Sequence, residues 1–149
     1  MNLLAPLYKF ADRVRYRLHG NVGKGGEDQA HRFLRGAGFI VVARNWRPPQ
    51  GGGEIDLVAW DLAGEAQTLV FVEVKTRVSG ERNAAVRDID QEKIRVLRRA
   101  ARDYVRRAGA EGVETRFDVI AIEGRALEHL RDAFQVVPPA GSLSLINPL

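Results

Sequence analysis

The sequence predicts an α/β domain in which a central mixed β-sheet of four to five strands carries helices on both faces. Three observations lead there. Two runs, Ile55–Trp60 and Leu69–Lys75, are apolar on both sides of a strand: Ile55, Leu57 and Ala59 alternate with Val58 and Trp60, and Val70, Val72 and Val74 with Leu69 and Phe71. The polar link between them, through Asp61, Gly64 and Glu65, is short enough for an antiparallel hairpin. Further on, Ile94, Leu97, Ala101, Tyr104 and Ala108 recur at helical spacing, so Asp90–Arg107 reads as a long helix able to cover one face.

Taken in order, residues 3–18 form a basic amphipathic helix, with Leu7, Phe10, Val14 and Leu18 on one stripe and Lys9, Arg13, Arg15 and Arg17 elsewhere. Such a helix suits a membrane surface or a nucleic-acid arm; docking on the core with a solvated basic face is the simpler reading and the one favoured here. A glycine-rich linker spans 20–26, and Glu27–Arg35 is a second helix closed by Gly36 and Gly38. A phosphate-binding loop is excluded at this linker, since Lys24 is followed by Gly25 and no apolar strand precedes it. Phe39–Trp46 is the first strand, and the Pro- and Gly-rich stretch from Arg47 to Gly53 is a loop. Val78–Asp88 is polar and loop-like, Arg116–Ile122 is a fourth strand, Ala126–Leu130 a short fifth, and residues from Pro138 a tail. The organisation is therefore an N-terminal helix (1–19), one domain (20–137) and a C-terminal tail (138–149).

Composition limits the chemistry. A length of 149 residues suits one hydrophobic core, and the absence of cysteine excludes disulfides, thiolate catalysis and cysteine-ligated zinc. No stretch is long and apolar enough to span a bilayer, and no signal peptide or anchor is evident, so the cytoplasm is the expected compartment. Lys and Arg number 23 against 19 Asp and Glu, a formal charge of +4 that favours a polyanionic partner.

Side chains two apart on a strand share a face, so Glu54 and Asp56 point one way, as do Glu73 and Lys75. If Trp60 pairs with Leu69, Asp56 lies directly opposite Glu73, with Cβ atoms about 4.5–5.5 Å apart. Carboxylates in a sheet apolar on both faces are costly, because like charges repel and burial disfavours ionisation. Lys75 offsets part of that cost, and a hard divalent cation suits the remainder: Mg²⁺ is held by one or two carboxylates plus waters and substrate phosphates. Singly, a Glu-x-Lys pair reads as a surface ion pair and an Asp at a strand start as a turn residue. Their combination on a doubly apolar hairpin is what points to chemistry.

Glu27 falls on the stripe its helix turns towards the sheet, yet a first-turn acid also complements the helix dipole, as neighbouring Asp28 does; spacing leaves both readings open. The helix from Asp90 carries Lys93, Arg95, Arg98, Arg99, Arg102, Arg106 and Arg107, which suits either phosphate tracking or a solvated surface. His19, His31 and His129 have no metal-ligand spacing and read as structural or surface residues.

An acid on an early helix, then Asp, then Glu-x-Lys on antiparallel strands resembles the PD-(D/E)XK restriction-endonuclease-like superfamily. More closely, the chain resembles the YraN-type family of bacterial endonuclease-like proteins and is similar to archaeal Holliday-junction resolvases. The matching stretches run from Gly23 to Phe134: GKGGEDQA, NWR at 45–47, GEIDLVA, FVEVKTR, Lys93 and RFDV at 116–119. No proline immediately precedes Asp56, and residues 3–18 lie outside the match. The resemblance implies Glu27, Asp56 and Glu73 as metal ligands, Lys75 as the catalytic lysine, Mg²⁺ or Mn²⁺ as cofactor, and a homodimer.

The expectation is thus a metal-dependent DNA endonuclease, with branched or damaged DNA among its substrates and with Arg77, Lys93, Arg98 and Arg102 as DNA contacts. The alternative is a non-catalytic nucleic-acid-binding or adaptor module of the same fold.

Overall fold

The apolar hairpin forms the middle of a five-stranded sheet. In a computed structural model that describes residues 25–77, 90–123 and 126–134, the order is α1 (Gly25–Gly36), β1 (Ile40–Trp46), β2 (Ile55–Asp61), β3 (Thr68–Arg77), α2 (Gln91–Arg107), β4 (Glu114–Glu123) and β5 (Ala126–Phe134). The N-terminal helix of 3–18, the loop at 78–88 and the tail from Pro138 lie outside the described residues. No described helix is long and apolar enough to cross a membrane.

The strands lie in sequence order, β1-β2-β3-β4-β5. All neighbours are antiparallel except β3 and β4, whose parallel pairing runs from Thr68 opposite Glu114 to Arg77 opposite Glu123. A parallel pair cannot be closed by a tight turn, and α2 lies within the connection. The β2–β3 register is the one read from the sequence, with Trp60 opposite Leu69 and Leu57 opposite Val72.

Helices cover both faces, as the two-sided apolar pattern requires. On one, Leu34 and Ala30 of α1 pack over Val41, Leu57, Ala59, Val70, Val72 and Ile120. On the other, Leu97, Ala100 and Ala101 of α2 pack over Val58, Trp60, Leu69, Phe71 and Phe117. Leu34 and Leu97 are the anchors, 0% and 1% exposed; truncating either to Ala is of the class that costs about 2–5 kcal/mol.

Local chemistry sets the helix limits. Asp90 caps α2 by accepting the Lys93 N–H at 2.7 Å, satisfying a donor that the first turn leaves free. The end of α1 is a Schellman turn: Gly38 takes a positive φ of 92°, its N–H donates to the Arg35 carbonyl, and the Phe39 N–H returns to Leu34. Helix α1 and strands β2, β3, β4 and β5 all run beyond the sequence-based limits, β5 by the most. Helix α1 starts at Gly25, inside the expected linker, and β5 continues to Phe134 because Phe134 stacks on Phe117, with ring centroids 4.5 Å apart.

Candidate metal centre

The site forms where the start of β2 meets the second half of β3. Residues 56, 58 and 60 share the α2 face of β2, and 69, 71, 73 and 75 share that face of β3, so the alternation that buries Val58 and Phe71 also brings Asp56 and Glu73 together. At this end the ladder gives way to a side-chain contact: the Val74 N–H donates to Asp56 Oδ2 at 2.7 Å.

Two close approaches bring in the helices. A Cβ on Gly26 would lie 2.4 Å from Thr76 Oγ1, so the first turn of α1 rests on the end of β3, carrying Glu27 with it. Gly53 has φ +112°, and a Cβ there would lie 2.4 Å from Val96 Cγ1 of α2. This conformation, open to glycine, delivers Glu54 beside Asp56. The cap at Asp90 sets Lys93 in the first turn of α2, over Glu73.

Four carboxylates result. One oxygen from each of Glu27, Glu54 and Asp56 lies within 4.8 Å of the others, and among charged neighbours Glu73 acts most strongly on Asp56. Glu27 and Glu73 are buried, at 6% and 4% exposure. Lys75 Nζ lies 3.2 Å and Lys93 Nζ 3.4 Å from the same oxygen, Glu73 Oε1, while Arg47 takes Glu54 Oε2. Glu73 Oε2 is buried without a hydrogen-bond partner. Burial pushes the Asp56 carboxyl up to about 7, Glu73 and Glu27 push the same way, and the Val74 N–H and Lys93 oppose them.

An acceptor oxygen buried without a donor, beside an aspartate whose proton affinity is raised by burial and by neighbouring carboxylates, is unfavourable in isolation. Oxygen donors alone, gathered around so small a space, suit a hard divalent cation. Glu27, Glu54 and Asp56, whose oxygens come together, would hold it; Glu73, the further ligand the resemblance implies, lies beside Asp56. Glu54 is the residue sequence reasoning left out of the ligand set, although its spacing from Asp56 already put the two on one side of the chain.

The other expected site residues divide. Lys75 and Lys93 are drawn into the cluster. Arg98 and Arg102 lie on α2 some 140° and 180° round the helix from Lys93, by its ~100° per residue. Arg77 ends β3, and its side chain lies outside the described residues, as does His19. His31 is fully buried in α1. Asp28 does more than complement a dipole: Arg44 Nη2 reaches its carboxylate at 2.5 Å.

A second set of buried charges occupies the α1 face, beyond the other end of β2. Asp118 accepts from Arg116 Nε at 2.7 Å and Nη2 at 3.0 Å, from His129 Nε2 at 2.7 Å and from the Asp132 N–H at 3.0 Å. Arg116 and Arg131 also meet Asp61, at 3.0 and 2.7 Å. His129 is thereby a structural residue, as its lack of ligand spacing implied.

The sheet order, the two helical layers and the Asp56, Glu73 and Lys75 geometry define an α/β protein of the restriction-endonuclease-like, PD-(D/E)XK class. Within that class the chain belongs to the uncharacterised protein family UPF0102, whose model matches residues 26–122. It is 48% identical over 136 residues to a UPF0102 protein of Solibacter usitatus (strain Ellin6076), covering 89% of this chain and 100% of that relative. A UPF0102 protein of Ralstonia pickettii (strain 12J) is 45% identical over 117 residues, 76% of this chain and 90% of the relative. One of Persephonella marina (strain DSM 14350 / EX-H1) is 34% identical over 114 residues, 76% and 93%.

Proposed function

We propose that this chain is a Mg²⁺- or Mn²⁺-dependent DNA endonuclease that hydrolyses phosphodiester bonds. The observation that carries this reading is the buried, partnerless Glu73 Oε2 beside Asp56, whose carboxyl is raised by burial and then by its carboxylate neighbours. Glu27, Asp56 and Glu73, with Glu54 alongside, would hold a divalent cation, which would supply Lewis acidity towards a phosphoryl oxygen and lower the pKa of water.

The chain's own groups do the rest. The Val74 N–H fixes the orientation of Asp56. Lys75 lies 3.2 Å from Glu73 with its side chain 30% exposed, so its ammonium is anchored on one side and open on the other, where it orients a water or offsets charge developing on the phosphate. Lys93, 39% exposed at the start of α2, binds a phosphate flanking the reacting one. Arg98 and Arg102, about 140° and 180° round that helix from Lys93, would meet a separate stretch of the nucleic-acid backbone.

The test is cleavage of linear, single-stranded, flapped and four-way-junction DNA by the full chain with Mg²⁺, Mn²⁺ or chelator. Wild type cuts in a metal-dependent way, and Asp56→Asn and Glu73→Gln lose at least about a hundredfold in rate while keeping the far-ultraviolet circular dichroism of the folded protein. Variants that cut as well as wild type overturn the assignment. Salt-sensitive DNA binding that survives chelation, with no cutting of any substrate, gives the adaptor reading instead.

A further inference from the structure

Within the cluster, the cation already paired with Glu54 is exposed. Arg47 turns both Nε and Nη2 onto Glu54 Oε2, while its own side chain remains 73% exposed and that of Glu54 is 20% exposed. The pair spans the β1–β2 loop, which Gly53 presses against Val96, three residues beyond Lys93 on α2. Arg47 and Lys93 therefore border one cluster, the first through Glu54 and the second through Glu73.

A guanidinium fork matches a phosphate as well as it matches a carboxylate. Seated on Glu54, Arg47 opposes a divalent cation twice, by engaging an oxygen of a potential ligand and by its own charge. A cation that neutralises Glu54 removes most of the attraction holding Arg47 there, and the fork becomes available to a phosphodiester. We infer that Arg47 exchanges between Glu54 in the metal-free protein and a nucleic-acid backbone phosphate in the metal-loaded one, coupling metal binding to nucleic-acid binding. This rests on the proposed metal site. Linkage makes the coupling reciprocal, so nucleic acid that draws Arg47 away raises metal affinity by the same factor.

The test is calorimetric titration of the full chain with Mn²⁺, with and without a short duplex linked throughout by phosphorothioates. Arg47→Ala binds Mn²⁺ roughly two- to fivefold more tightly than wild type without DNA, the scale of removing one exposed ion pair. In the same variant, the factor by which the duplex raises Mn²⁺ affinity shrinks. Arg106→Ala removes an equal charge from the far end of α2, where Arg106 pairs with Asp103, and leaves both quantities at wild-type values. An unchanged or weaker Mn²⁺ affinity in Arg47→Ala, an unchanged duplex effect, or an equal response in Arg106→Ala overturns the exchange. Failure of wild type to bind Mn²⁺ at all overturns the metal site and the exchange together, whereas normal wild-type binding with an unresponsive Arg47→Ala overturns the exchange alone.

Discussion

Asp56 and Asp118 are aspartates on strands separated only by β3, and the protein treats them oppositely. Asp118 is 0% exposed, and burial alone would push its carboxyl up. Hydrogen bonds from His129, Arg116 and the Asp132 N–H outweigh burial and hold it below the usual carboxylate range. Asp56 has one backbone donor, Val74, and carboxylates for neighbours, so burial and repulsion together raise it to about 7. The difference separates structure from chemistry. A buried carboxylate with a full set of donors closes a fold, whereas one crowded by other carboxylates and lying beside an orphaned oxygen is suited to a divalent cation.

The largest expected contrast is in stability. Asp118→Ala removes the partner of Arg116 and His129 and should cost about 3–5 kcal/mol, the range for breaking a buried pair from one side, read by urea denaturation of the metal-free protein. Asp56→Asn should cost nothing or stabilise, because it removes a buried like charge and keeps the shape. Equal losses in the two variants would end the distinction.

Next comes the dependence on pH, where the two aspartates have opposite signs. Between about pH 4 and pH 7 folded Asp56 retains a proton that the unfolded chain has released, so metal-free stability falls as pH rises through that window. The slope reaches at most about 1.4 kcal/mol per pH unit. Asp118 contributes stability above the unfolded aspartate pKa and loses it as pH falls through its lowered folded value. Denaturation in chelator across this range should show wild type declining relative to Asp56→Asn; parallel curves would mean that Asp56 is not under strain from its neighbours.

The smallest effect sharpens the role of the loop. Gly53→Ala puts a side chain where φ is +112° and Val96 stands in the way, at a cost of about 1–3 kcal/mol. Because Glu54 follows directly, the variant should also weaken Mn²⁺ binding. Gly109→Ala, at φ +63° with nothing within 4 Å, carries backbone strain without disturbing the cluster. A loss of Mn²⁺ affinity in both would attribute the effect to general destabilisation.

Much of this was legible in the chain. The two-sided apolar alternation at 55–60 and 69–75 carries both the hairpin and its register, and the register alone brings Asp56 to Glu73. Local signals also placed Asp90 at the start of α2 and Gly38 at the end of α1. Less visible were features made by contacts distant in sequence. Residues 131–134 lack a strand-like alternation, and β5 runs through them because Phe134 finds Phe117 and the Asp132 N–H finds Asp118. Glu54 lies before β2 begins, so strand periodicity described its side of the chain but not its nearness to Glu27. The ion pairs of Asp61 unite residues 55 and 70 positions apart, and no local pattern announces them.

By itself the sequence determined what each segment can be, because side-chain spacing and backbone preference act within a few residues: apolar strands, amphipathic helices, and carboxylates on one face of a hairpin. Only the tertiary structure decided which charges meet. Glu27 had two equal readings from spacing, and it became a buried member of the cluster when Gly26 let α1 close on β3. The parallel pairing of β3 with β4, and with it the burial of Asp118 beneath Arg116 and His129, likewise depends on helix α2 crossing one face. Burial and electrostatic pairing are set by distances in space, and those exist only once the layers have packed.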